Sequence, residues 1–149
     1  MSKAVPTKAT ANAKERWGEA LDAGFSIVPD VLLRYQARLG LTPLDVVIIL
    51  NICLHWWTAE DLPFPRLATI GARIGLSARS VERRVVAMEK KGLMIRLPPE
   101  RHDALTIRRF DPSGLVDRLR SLAKADQAYV ARQDKRASQD TTNPMTAEA

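Results

Sequence analysis

The residues of this chain best suited to chemistry are arginines and serines crowded into one stretch. Positions 66–109 hold eleven basic and four acidic residues, a local balance of +7 in a 149-residue chain whose total is +6. A guanidinium can bond the edge of a guanine through two hydrogen bonds, a serine hydroxyl can bond a base or a phosphate, and further arginines neutralise phosphates without reading sequence. Arg79, Ser80 and Arg83 are the candidate base readers. Arg66, Arg73, Ser77, Arg84, Arg96, Arg101 and Arg108 are the candidate contacts that set register and affinity.

Other reactive residue types are sparse. Cys53 is the one cysteine, so it has no internal disulfide partner, and it sits in an apolar run that reads as core. His55 and His102 are the two histidines, and neither has a cysteine or carboxylate cluster at metal-ligand spacing. His55 reads as a core-edge residue beside core tryptophans Trp56 and Trp57, and His102 as a loop residue. No catalytic group, metal or cofactor is expected.

The remaining charge is uneven. Residues 1–16 are basic (+3), residues 17–65 are acidic (−4), and residues 110–149 balance to zero. No apolar run approaches the roughly 18 residues a membrane span needs, and the N-terminus lacks the apolar segment of a secretory signal. The expectation is a cytoplasmic protein.

The elements that must position the basic residues follow from periodicity. Residues 1–16 and 135–149 are polar and aperiodic, and are expected to be a flexible basic arm and a disordered tail. Val31, Leu32, Tyr35 and Leu39 recur at helical spacing until Gly40. Thr42 caps a second helix with Pro43 in its first position, and residues 44–57 are apolar on nearly every side, the spine of a core. A helix over 66–74 ends at Gly75, and Ser77 caps another whose buried stripe is Val81, Val85 and Met88. At about 100° per residue that stripe places Arg79, Arg83 and Lys90 on the opposite face. Residues 93–97 and 105–110 read as a hairpin around a loop at 98–103. A last helix over 115–132 carries Leu115, Val116, Leu119, Leu122 and Ala123, extended by Tyr129 and Val130.

The words Ile70-Gly71-Ala72-Arg73-Ile74-Gly75-Leu76-Ser77-Ala78-Arg79-Ser80-Val81 and Met88-Glu89-Lys90-Lys91-Gly92-Leu93-Met94 resemble the winged helix-turn-helix family. They match its small-residue first helix, serine cap, arginine-bearing recognition helix and glycine-leucine entry to the wing. The resemblance covers about residues 43–110. Residues 25–35 and the Trp56-Trp57 pair are similar to bacterial regulators and to plasmid or phage replication proteins carrying this module. Gly71 departs from the family, which more often has alanine there, and a glycine weakens a helix by about 1 kcal/mol.

The resemblance implies a mainly α fold with a small β-hairpin wing and an additional C-terminal helix. A winged helix-turn-helix domain would span 17–111, and residues 112–134 would form a possible dimerisation helix. The function implied is sequence-selective binding of double-stranded DNA in transcription regulation, with recognition helix 78–91 in the major groove and a homodimer on two half-sites. Two alternatives stay open: a DNA-binding module for plasmid or phage replication or partition, and a winged-helix module for protein contacts.

Overall fold

The computed structural model describes residues 8–141 and is mainly helical, with a small antiparallel β-structure. Residues 1–7 of the expected arm and 142–149 of the expected tail lie outside the described residues. The rest of the arm differs from expectation. Helix α1 (Lys8–Trp17) is followed by a 3₁₀ helix (Gly18–Ala23). Ala9, Ala11 and Ala13 together with Lys8, Lys14, Glu15 and Arg16 are good helix formers, which offsets the lack of an apolar stripe in α1.

Pro29 leads into α2 (Asp30–Arg34), a single turn that continues as hydrogen-bonded turns to Gly40. Helix α3 (Pro43–Cys53) begins at a reciprocal cap. The Asp45 amide donates to Thr42 Oγ1 at 3.1 Å, and the Thr42 amide donates to Asp45 Oδ2 at 2.8 Å. Val46, Ile48, Ile49 and Ile52 of α3 are buried at the centre of the core. The helix stops four residues short of the sequence-based boundary. Its end tightens into three-residue steps, His55 N–H to Ile52 O and Trp56 N–H to Cys53 O, and then unwinds. Trp57 is consequently 83% exposed rather than core, and Trp56 is half-buried.

Helix α4 (Leu67–Ile74) and helix α5 (Ala78–Lys90) meet across a three-residue turn, Gly75-Leu76-Ser77. Gly75 adopts φ +75°, the left-handed conformation that closes a helix end. Gly71 is the contact point between α4 and the turn: a Cβ there would lie 2.4 Å from the Leu76 carbonyl oxygen. The departure noted from sequence thus has a steric cause. Val81, Val85 and Met88 of α5 are fully buried against α3 and α4.

The β-structure is one long hairpin in two ladders. Strand β1 (Ile95–Arg96) pairs with β4 (Phe110–Asp111), and β2 (Glu100–His102) pairs with β3 (Leu105–Ile107). Pro98 and Pro99 have no N–H to donate and divide the two ladders. Half of the loop expected at 98–103, residues 100–102, is therefore strand. The reversal is only Asp103-Ala104, with Asp103 at φ +55°, a conformation aspartate tolerates better than most residues.

Helix α6 (Ser113–Thr141) extends nine residues beyond the boundary expected from sequence, through part of the expected tail. Leu115 and Leu119 are buried in the common core, and Leu122 packs against it. Its start is pressed onto the turn after α5. A Cβ on Gly114 would lie 2.0 Å from the Gly92 carbonyl oxygen, and Leu115 N–H donates to Leu93 O at 3.0 Å. Further along, the Tyr35 hydroxyl donates to Asp126, fastening α2 to α6. The Tyr129 side chain lies outside the described residues. Among the described residues, no helix is long and apolar enough to cross a membrane.

Candidate nucleic-acid interface

Helix α5 carries Arg79, Glu82, Arg83, Arg84, Glu89 and Lys90, a mixture that by itself predicts little. Packing separates them by angle. On one flank Arg84 reaches α3 and grips Asp45, Nε to Oδ1 at 2.7 Å and a terminal nitrogen to Oδ2 at 2.8 Å. Asp45 has no solvent exposure. Burial raises its pKa, but the hydrogen bonds from Arg84 and Thr42 outweigh burial and hold the carboxyl below its ordinary value of 3.8. Arg84 is thereby a bond to the core, and its expected role at a phosphate is corrected.

On the other flank Glu82 and Glu89 turn toward the hairpin, where Arg96 of β1 holds both, at 3.3 Å and 3.0 Å. The Arg96 side chain is 12% exposed. Arg96 therefore serves as an internal counter-charge rather than the phosphate contact expected from sequence.

What remains on the outer face is Arg79, Arg83 and Lys90, all exposed and without an ion pair among the described residues. Ser77 begins this face. Its Oγ accepts the Ser80 amide at 3.1 Å, satisfying an open donor of the first turn, and lies 3.1 Å from the Ser80 hydroxyl. Val86 is half-buried on the same helix, so the face is less purely polar than the sequence suggests.

The other expected residues are distributed around α5. Arg66 is exposed at the residue before α4 and has no ion pair among the described residues. Arg73, at the end of α4, donates to His55 Nε2 at 3.2 Å. Burial first, and the Arg73 charge second, lower the His55 pKa, so the imidazole is neutral and accepts this bond. Arg101 is exposed on β2 near the hairpin reversal. Arg108 is exposed but anchored, its Nε donating to Leu97 O at 3.0 Å and a terminal nitrogen reaching Arg96 O at 3.5 Å.

Arg109 and Asp45 were not singled out from sequence. Arg109 bonds Glu100 at 2.7 Å, Asp61 at 3.0 Å and Leu62 O at 2.6 Å, and its guanidinium lies 4.8 Å from the Phe64 ring centre. Nothing in its local sequence distinguishes it from Arg108. For Asp45 there was a signal, since an acidic residue three positions after a threonine cap completes a reciprocal cap. The Cys53 thiol is pushed up to about 11 by burial, which leaves it protonated. Among the described residues, no group of three or more His, Cys, Asp or Glu is placed to hold a metal.

No protein-family model matches this chain, and no curated protein matches it.

Proposed function

We propose that the chain is a winged helix-turn-helix protein that binds double-stranded DNA in a sequence-selective manner, most simply as a transcription regulator. In this reading α5 enters the major groove and the hairpin is the wing. The observation that carries it is the sorting of charge on α5. Asp45 takes one arginine out of play and Arg96 draws both glutamates to the hairpin side and offsets one of their two charges, leaving Arg79 and Arg83 exposed beside Ser80 on the first two turns. The N-terminal half of a recognition helix is the part that meets base edges, and arginine is the side chain that bonds guanine there. Arg66, Arg73 and Arg101 would meet phosphates.

The test is fluorescence anisotropy on random and selected duplexes across a salt series. Affinity should fall steeply with salt, and a slope equivalent to fewer than about two phosphates would exclude nucleic acid as the partner. Arg83→Ala should cost about 1 to 3 kcal/mol on a selected site and little on random duplex, whereas Arg101→Ala should weaken both alike. Matching profiles for the two variants would remove Arg83 as a reader.

A further inference from the structure

A cleft of about 700 Å³ opens between the segment joining α3 to α4 and the outer ladder of the hairpin. Its volume lies in the range of sites that take small organic molecules. The walls are mainly apolar, formed by Trp57, Leu62, Phe64, Leu105, Ile107 and Phe110. Two of these, Trp57 at 83% and Leu105 at 53% exposure, present large apolar surface that the described residues leave uncovered.

The walls are fixed relative to each other. Phe110 N–H donates to Pro63 O at 2.8 Å, and Arg109 bonds Asp61 and Leu62 O on one wall and Glu100 on the other. The opening is therefore preformed.

Charge around the cleft selects its occupant. Arg109 is shared by Asp61 and Glu100 and Arg96 by Glu82 and Glu89, so both of these arginines are fully matched by carboxylates, and His55 is neutral against Arg73. Uncompensated charge is left on Arg66, and on Arg108, whose bonds go to backbone carbonyls and whose second terminal nitrogen is unpaired among the described residues. A cleft with mainly apolar walls and two cations that have no carboxylate partner among the described residues matches a flat apolar body with one negative charge.

We infer that this cleft is a binding site for a small aromatic carboxylate, its ring between Trp57 and the hairpin wall and its carboxylate at Arg66 and Arg108. No α5 residue lines the cleft; it shares Arg66 with the phosphate contacts proposed above, and binding of the small molecule is tested without DNA.

Titration calorimetry of the full chain with naphthoate, and with the uncharged naphthalene carboxamide of the same shape, tests the assignment. Naphthoate should bind saturably at one site, and the amide about tenfold or more weakly. Leu105→Asp and Trp57→Ala alter exposed side chains, so the fold should persist by circular dichroism, and each should weaken naphthoate by about tenfold or more. Absence of saturable naphthoate binding overturns the proposal. So does binding that both variants leave unchanged, and equal binding of acid and amide removes the role assigned to the arginines.

Discussion

Asp45 is a charged side chain with no contact with water, and its neighbours explain how the fold tolerates it. Arg84 supplies two charge-assisted hydrogen bonds and the Thr42 amide a third, so the carboxylate is stabilised in its ionised form. Such a pair adds little over a well-packed apolar substitute, yet removing one partner strands the other. Arg84→Ala should therefore destabilise the chain by about 3 kcal/mol, the lower end for a buried pair because Arg84 keeps some solvent contact. The sign of the pH dependence follows from the depressed pKa. Stability from this carboxylate is fully present above the unfolded value of 3.8 and is lost as pH falls through the lower folded value. Urea unfolding over an acid series should show Asp45→Asn less stable than the parent near neutrality, with the gap closing toward strong acid. A constant gap would mean that the charge of Asp45 is immaterial.

Gly71 gives a second test at this scale, because two effects of known size oppose each other. Alanine would improve helix propensity by about 1 kcal/mol. Its Cβ, however, would sit 2.4 Å from a backbone oxygen, and a backbone atom cannot swing aside as a side-chain tip can. Overpacking of that kind costs about 1 to 3 kcal/mol. Gly71→Ala should thus lower the thermal midpoint. A rise would show that the turn relaxes freely.

Between elements, the decisive contacts around α5 are electrostatic. Arg96 holds Glu82 and Glu89, so the hairpin offsets half of the negative charge that α5 would otherwise carry beside Arg79 and Arg83. On the proposed reading, Arg96→Met should weaken duplex binding although Arg96 itself is turned inward, because two carboxylates are released near the phosphates. Adding Glu82→Gln should recover part of the loss. Anisotropy on the single and double variants decides it, and a double variant no better than the single one shows that Arg96 acts by other means.

The helices were legible in sequence where punctuation and stripe agreed. Gly75 and Gly92 mark the ends of α4 and α5, and the stripe Val81, Val85 and Met88 is buried as its spacing requires. Pairings across distant positions were not legible. Arg84 and Arg96 belong to the same basic stretch as Arg83 and differ from it only in facing Asp45, 39 positions away, or two glutamates on a neighbouring element. The hairpin was legible but its loop was drawn too long for a local reason: two prolines suggested a loop over 98–103, whereas they interrupt a ladder that resumes beyond them.

For the molecule as a whole, the C-terminal helix answers differently from what its stripe suggests. Leu115 and Leu119 are spent on the chain's own core, with Leu122 packed beside them, so they cannot also hold a second copy. The apolar surface left over includes Leu33 on α2 and Val130 on α6, one turn past the Asp126 to which Tyr35 and Arg34 bind. On the proposed DNA-binding reading, a homodimer through these exposed α2 and α6 residues would bring two copies of α5 to one duplex. Light scattering should give twice the chain mass, and Leu33→Asp with Val130→Glu should return a folded monomer. A parent chain that stays monomeric at high concentration removes the dimer. A dimer that survives both substitutions places the interface elsewhere, for which exposed Trp17, Phe25 and Ile27 are the next surface.

The backbone crowding of Gly114 against Gly92 has a mechanical meaning. A helix of 29 residues is about 43 Å long, and its first residues touch the end of α5 with no side chain between to yield. Leu115, Leu119 and Leu122 in the core and the Tyr35–Asp126 bond hold its first half, so the length beyond these anchors is the 15 residues 127–141, about 22 Å. The seam at Gly114 therefore fixes the angle at which α6 leaves the end of α5, and the exposed distal half is the part of the helix that extends past the core.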